Sequence, residues 1–376
     1  MRLALIGPVY PYRGGIAHYT TALYRALRKQ GHEVLLISFS RQYPQWLFPG
    51  KSDRDPSQKP LEAGDAHYWL DSMNPITWLA TVSRIREYSP DAVILQWWVP
   101  FWALAWSSIV WLLQRFAATK TVYICHNVVP HEDGWLDRFL ARRVLGRGDV
   151  AIVHSEQDRK KLLDLLPRAH VHVTHHPTYR VFAENAPTAS QARKELHLDN
   201  DTPVILFFGF VRPYKGLNYL IEALPTVLER LEVHLLIAGE FWDSAETYLD
   251  LIQSLQLENH VTLVDQYVPN EEVGVYFASA DLVALPYVDA TQSGIVQMAF
   301  GFGVPVLTTT VGGLGEAVHD GVTGLLVRPR DSQALASAIL RYFREQQGPE
   351  IRANIQADRH RFSWARMVVL IEQLTT

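Results

Sequence analysis

Two cations three residues apart, Arg212 and Lys215, follow an apolar run in FFGFVRPYKGL (207–217), with Gly209 at its exit and Gly216 just behind. A guanidinium presents a planar fork of donors and an ammonium a compact charge. Such a pair suits the oxygens of a diphosphate and can stabilise that group as it departs. The same spacing is also that of a solvated basic turn.

Three further stretches place unusual residues after apolar runs. Gly14-Gly15 in GPVYPYRGGIAHYT (7–20) opens a helical pattern, so free backbone N–H groups can receive an anion there; an ordinary tight turn is the alternative. Ser293-Gly294, with Ile295 behind, begins a second such helix, and Gly312-Gly313 with Glu316 makes a flexible turn carrying a carboxylate. His126 and Asn127 end a buried run in YICHNVVPHE (123–132); a strand-end histidine is either structural or a donor to a hydroxyl or phosphate. His172, His175 and His176 raise a metal site. On a strand 172 and 176 share a face and 175 does not, and no carboxylate or cysteine completes a set, so no metal is expected.

These residues need scaffolding, and the hydrophobic pattern supplies it. Short runs that are apolar throughout fall at 2–7, 33–39, 91–96, 121–126, 149–155 and 170–176, separated by helical patterns at 16–30, 75–88, 100–117, 135–146 and 156–166. Residues 41–66 read as a long loop and 177–202 as a polar linker with one short helix. The alternation restarts with strands at 203–209, 233–239, 260–265, 281–286, 304–309 and 323–329 and helices between and after them, to 331–346; a last helix spans 362–374. Strands apolar on both faces imply parallel sheets covered by helices. Two series imply an α/β protein of two doubly wound, Rossmann-like domains facing across a cleft, with ligands at the carboxyl ends of the strands.

The chain has 376 residues, a net charge of −4, a mean hydropathy near zero and one cysteine, Cys125, so no internal disulfide exists and a buried thiol is expected. MRLALIG lacks the long apolar run of a signal peptide, which makes the cytoplasm the expected location. The charge is uneven: residues 1–182 carry +7 and the remainder −11. A basic first half can face an anionic membrane or acceptor, or be no more than solvated surface. WWVPFWALAWSSIVWLL (97–113) is too short to span a bilayer securely. It reads either as a helix buried in the sheet or as an aromatic surface touching lipid at the inner face of the membrane. An acidic chain without a basic aromatic groove is not expected to bind nucleic acid.

Taken in order, GGIAHYT, HN, GFVRPYKGL, LIAGE, LPY, SGIVQMAFGFGVPV, VGGLGEAV and the final FSW resemble the GT-B glycosyltransferases, specifically the large retaining family 4, over nearly the whole chain. The resemblance implies an acceptor domain at 1–180, a nucleotide-sugar domain at 181–355 and a terminal helix at 356–376 that crosses back to the first. It implies a sugar moved from a nucleoside-diphosphate donor to a hydroxyl of a glycan or lipid-linked acceptor, without cofactor or metal. Carried over residue by residue, His126, Arg212 and Lys215 are the catalytic set. Gly14, Gly15, Gly209, Asp289, Ser293, Gly294, Ile295 and Glu316 surround donor and diphosphate, and the base lies along DQYVPNEEV (265–273) near Tyr267 and Val268.

One departure stands out. The family's paired glutamates, E-x7-E, fall here on Ala290 and Met298, with Asp289 the one nearby substitute. Methionine cannot accept a ribose hydroxyl as a carboxylate does. A sugar-nucleotide 2-epimerase and a catalytically impaired nucleotide-sugar-binding relative are the alternatives.

Overall fold

The computed structural model describes residues 1–44, 46, 50–116, 119–129 and 134–375. Residues 130–132 of the strand-end stretch carrying His126 lie outside them, as do 45 and 47–49 of the expected long loop.

Seven strands form one sheet: β1 (Arg2–Ile6), β2 (Glu33–Arg41), β3 (Ala66–Asp71), β4 (Ala92–Trp97), β5 (Lys120–Cys125), β6 (Val150–Val153) and β7 (Val171–Val173). Their order is β3-β2-β1-β4-β5-β6-β7, and every pairing is parallel. Parallel neighbours need crossovers, and helices provide most of them. Alternate residues of each strand point to opposite faces. Leu3, Leu5, Ile94 and Ile124 pack on one side with Tyr19 and Leu23 of helix Gly15–Lys29 and Met367 and Ile371 of helix Trp364–Thr375. Ala4, Ile6, Leu95 and Tyr123 pack on the other, against helices Pro75–Tyr88, Ala103–Phe116 and Trp135–Leu145.

Six strands form a second parallel sheet: β8 (Val204–Phe208), β9 (His234–Ala238), β10 (Val261–Val264), β11 (Leu282–Leu285), β12 (Val306–Thr309) and β13 (Gly324–Val327), in the order β10-β9-β8-β11-β12-β13. Polar side chains cap two of the helices that follow its strands: Ser293 accepts from Val296 N–H and Asp331 from Ala334 N–H. The chain divides into two compact units, one of Met1–Pro56, Pro60–Pro177 and Ser363–Thr376, the other of Ser57–Lys59 and Thr178–Phe362.

Three readings change. The pattern missed β3, an edge strand reading AHYWLD in which Leu70 is the one fully buried residue, so alternation is weak there. It also missed helix Gly348–Ala357, which buries only Ile351 and Ile355. And β7 stops at Val173, which leaves His172 exposed and His176 buried; 172 and 176 share no face. In the tryptophan-rich stretch Trp97, Trp102 and Trp106 are core, while Leu104 and Trp111 face solvent. Cys125 is buried, and among the described residues no helix is long and apolar enough to cross a membrane.

Candidate active site

In each sheet the strand order reverses once, between β1 and β4 and between β8 and β11, and such switch points leave a crevice at the carboxyl ends. The β8/β11 crevice holds the cation pair. Gly209 leaves β8 with φ 97° while its N–H donates to Ala238 O at 2.9 Å. A side chain there would meet Ile295 at 3.3 Å and the Lys215 ammonium at 3.5 Å. A 3-10 turn, Pro213–Lys215, follows, and Gly216 closes it at φ 65°. A Cβ on Gly216 would lie 2.2 Å from Pro286 O, and Val288 N–H donates to Tyr214 O at 2.8 Å. The basic turn is thereby stitched to the loop after β11.

Lys215 is 8% exposed, and its ammonium sits 5.6 Å from the centre of the Tyr287 ring. Burial first, and then the neighbouring Arg212 charge, pull its pKa down to about 7. Arg212 lies 5.2 Å from the Tyr214 ring centre and 5.1 Å from that of Trp242. Among the described residues neither cation forms an ion pair with a carboxylate.

The loops after β11 and β12 close on the same crevice. The Tyr287 hydroxyl and Ser293 Oγ are 3.4 Å apart, and Ser293 caps helix Gly294–Phe302, whose Ile295 reaches Gly209. Thr309 Oγ1 donates to Tyr287 O and Gly313 N–H to Thr291 O, which draws in the loop leading to Glu316. Glu316 is fixed from behind by the Arg361 guanidinium donating to its backbone carbonyl at 2.6 Å. Asp289 is half-buried beside Tyr214 O. Tyr267 joins through aromatic contact: its ring centre is 5.9 Å from that of Phe210, which is 4.9 Å from that of Trp242, the ring beside Arg212. Val268 next to it is buried. Sequence reading missed Phe210 and Trp242, because the 31 residues between them hide that β8 and β9 are neighbours. It also missed Glu240, a buried carboxyl-bearing residue just past β9 that LIAGE already displayed.

The first unit groups the other candidates. Gly14 opens helix Gly15–Lys29 at φ 100°, and no atom lies within 4 Å of a Cβ built on Gly14 or Gly15, so backbone is open to approach there. His126 N–H donates to Trp97 O at 2.8 Å and its Nε2 meets Gln96 Oε1 at 2.6 Å. Gln96 comes within 2.7 Å of a Cβ built on Gly7, at the β1/β4 switch point. Tyr19 is the hub, with ring centres 4.7 Å from His126, 5.5 Å from His154, 5.1 Å from His176 and 5.0 Å from Trp364. His154 and His176 donate from Nδ1 to Thr174 O and Pro177 O. Burial holds all three imidazoles neutral: His154 falls to about 4, His176 to about 3, and His126 well below its ordinary value, the other two rings adding to its burial. No group of three or more metal-ligating side chains converges among the described residues.

Two Rossmann-like units with cation-bearing loops at the second switch point define the GT-B class. Solved structures agree: Anabaena HepE in complex with UDP and glucose superposes with a TM-score of 0.77 at 20% identity, covering 100% of this chain and 99% of that one. Sucrose-phosphate synthase from Thermosynechococcus elongatus gives 0.73 at 21% identity, covering 99% and 98%. A family model described as a glycosyl transferase 4-like domain matches residues 14–177, and one described as glycosyl transferases group 1 matches 202–345. The chain belongs to the group 1 glycosyltransferases, which move a sugar from a nucleoside-diphosphate donor. Relatives include the D-inositol 3-phosphate glycosyltransferases of Corynebacterium glutamicum, 26% identical over 79% of this chain and 74% of the relative, and of Corynebacterium efficiens, 28% identical over 82% and 69%.

Proposed function

We propose that the chain is a retaining, metal-independent hexosyltransferase whose second unit, with Thr178–Phe362, binds the donor and whose first, which includes the terminal helix Trp364–Thr375, carries the acceptor. The observation that carries this reading is Lys215: a buried lysine with a neighbouring cation, Arg212, and, among the described residues, no ion pair with a carboxylate. A charge taken out of water without a counter-charge is costly, and a diphosphate supplies the missing charge. Arg212 clamps the same group through its fork, and the Ser293–Ile295 helix start offers N–H groups to phosphate or sugar oxygens. Tyr267 and the Phe210–Trp242 pair form a shelf for the base.

In the reaction the sugar–phosphate bond loosens, charge accumulates on the leaving diphosphate, and Lys215 and Arg212 stabilise it. The acceptor hydroxyl attacks the face that the phosphate vacates, and the phosphate takes its proton. Gly14 and Gly15 leave backbone open to the diphosphate and acceptor, and His126, held by Gln96, orients the transferred sugar, with Asp289 and Glu316 on its hydroxyls. The acceptor is a glycan or lipid-linked hydroxyl. HepE was solved with UDP-glucose, which makes that the first donor to assay.

One observation favours a second reading. Ala290 and Met298 are both buried, so no carboxylate stands at either position for the ribose or sugar, as in a binding protein that has lost turnover. The deciding assay follows nucleoside diphosphate release from a panel of donor sugars, with and without acceptor alcohols, in wild type and Lys215→Met. Release that needs acceptor and falls with the variant supports transfer. An epimerised donor means an epimerase, and binding without release means the impaired relative.

A further inference from the structure

We infer that the solvent side of helices Ala103–Phe116 and Trp135–Leu145 docks on an anionic phospholipid bilayer. The two helices adjoin on one face of the seven-stranded sheet, with Trp106, Ile109, Ala141 and Val144 buried beneath. Their outer sides are apolar against the usual pattern: Trp135 is 80% exposed, Leu104 72%, Phe139 54% and Trp111 50%. Exposed patches of this size mark interaction surfaces. Leu104, Ser108, Trp111 and Arg115 recur at helical spacing on the first helix, and Leu136, Leu140, Arg143 and Arg147 on and just past the second. Between them lies a hollow of about 320 Å³ lined by Leu104, Ser108, Trp111, Leu140, Arg143 and Arg147. It is apolar on one wall and cationic on the other.

Charge selects the occupant. Arg115, Arg142 and Arg143 are exposed on the two helices, and Arg147, half-buried, lines the hollow with Arg143. Among the described residues Arg142, Arg143 and Arg147 form no ion pair with a carboxylate. Helix Ala103–Phe116 has no acidic residue, and the one acid of helix Trp135–Leu145, Asp137, accepts from Gly134 N–H at 3.2 Å. Glu132 and Asp133, which precede that helix in sequence, lie outside the described residues. Tryptophan set among arginines on helices of 14 and 11 residues is the composition of an element that lies in the headgroup layer rather than spanning it. The hollow fits a phosphate headgroup between Arg143 and Arg147 with Leu104 and Trp111 against the acyl boundary. The lipid surface is thus placed on residues the core does not use, whereas Trp97, Trp102 and Trp106 are spent inside.

Vesicle flotation with phosphatidylcholine alone and with added phosphatidylglycerol tests this on the full chain. Binding is expected only with phosphatidylglycerol. Arg143→Ala with Arg147→Ala should lower the partition coefficient about 25-fold, about fivefold per surface cation, and added salt should do the same. Trp135→Ser with Phe139→Ser should lower it by about tenfold without changing the salt response. All four residues are solvent-facing or line the hollow, so a thermal-shift response to nucleoside diphosphate should be unchanged and reports folding. No flotation with phosphatidylglycerol overturns the proposal. So does equal binding to both vesicles, or binding that neither double variant weakens. A dimer in sedimentation that Trp135→Ser with Phe139→Ser dissolves, without vesicle binding, assigns the face to a second copy instead.

Discussion

If Lys215 holds the donor diphosphate as proposed, binding is a proton-linked event. The lysine titrates at about 7 in the ligand-free fold, against 10.5 for an ordinary lysine. At pH 8 about nine-tenths of the side chains are then neutral. A bound diphosphate favours the ammonium and lifts the pKa back, so each binding event should take up about 0.9 proton at pH 8. Affinity should be flat below pH 7 and weaken about tenfold per unit above it, until the pKa of the complex is reached. The free lysine has the reverse effect on stability. Its folded pKa lies below its unfolded one, so its cost to the fold is full below pH 7 and fades as pH rises toward 10.5. Lys215→Met should therefore raise the melting temperature of the ligand-free protein at pH 7, by an amount equivalent to a few kcal/mol. The same variant should lose the thermal shift that nucleoside diphosphate produces in wild type.

Titration calorimetry of nucleoside diphosphate in two buffers of different ionisation enthalpy reads the proton directly, with Lys215→Arg, which keeps a fixed cation, correcting for the ligand's own phosphate. Lys215→Arg, which keeps its charge throughout the range, should flatten the pH profile. A dissociation constant that stays level from pH 6 to 9 in wild type, with heats that ignore the buffer, would refute the reasoning.

Other outcomes follow from the same geometry. Arg212→Ala should lower kcat/KM for the donor on the order of 10²–10³-fold, because a donor to developing charge is lost; a change under threefold in steady-state assays argues against the clamp. Met298→Glu places a carboxylate one turn beyond Ile295 on the same helix face, so it should tighten nucleoside diphosphate binding about tenfold or more if the ribose lies there, and calorimetry with the 2′,3′-dideoxy analogue should erase the gain. His154 and His176 are neutral in the fold and charge on unfolding below their ordinary value of 6.5, so their stability contribution is present above pH 6.5 and lost as pH falls. Each should cost about 1.4 kcal/mol per pH unit between 6.5 and 5, and His176→Gln should shallow that decline in denaturant titrations.

The sheet strands were legible because they are apolar on both faces, a pattern that only a double helical cover explains. VILFF and LVAL announce themselves; AHYWLD, half-exposed at an edge, does not. The cation pair was legible as chemistry, but spacing could not tell a solvated turn from a buried clamp. That depended on Gly216 fitting under Pro286 O, a contact between residues 70 apart. The histidine group around Tyr19 was hidden for the same reason. His126 and His154 directly follow β5 and β6 and His176 lies past β7, and the sequence pattern puts His172 and His176 on one strand that in fact ends at Val173. The aromatic shelf needed the β8–β9 adjacency. Local pattern reports elements, whereas a site is made of ends that the strand order brings side by side.

The departure from family pattern at Ala290 and Met298 bears on Lys215. Ala290 in the loop after β11 and Met298 in helix Gly294–Phe302 carry no charge that could raise the Lys215 pKa, which burial first and then Arg212 pull down. Met298→Glu puts a carboxylate one helical turn past Ile295, which lies against Gly209 beside the Lys215 ammonium; if its charge reaches the lysine, it should raise the lysine's pKa and flatten the proton linkage. On the proposed reading, recognition without it falls more on the diphosphate than on the sugar hydroxyls. Binding then depends on the charge that the ligand itself restores, which is why the pH dependence at Lys215 and the response to Met298→Glu probe one arrangement: restoring the glutamate should both tighten binding and move the onset of its pH dependence above 7.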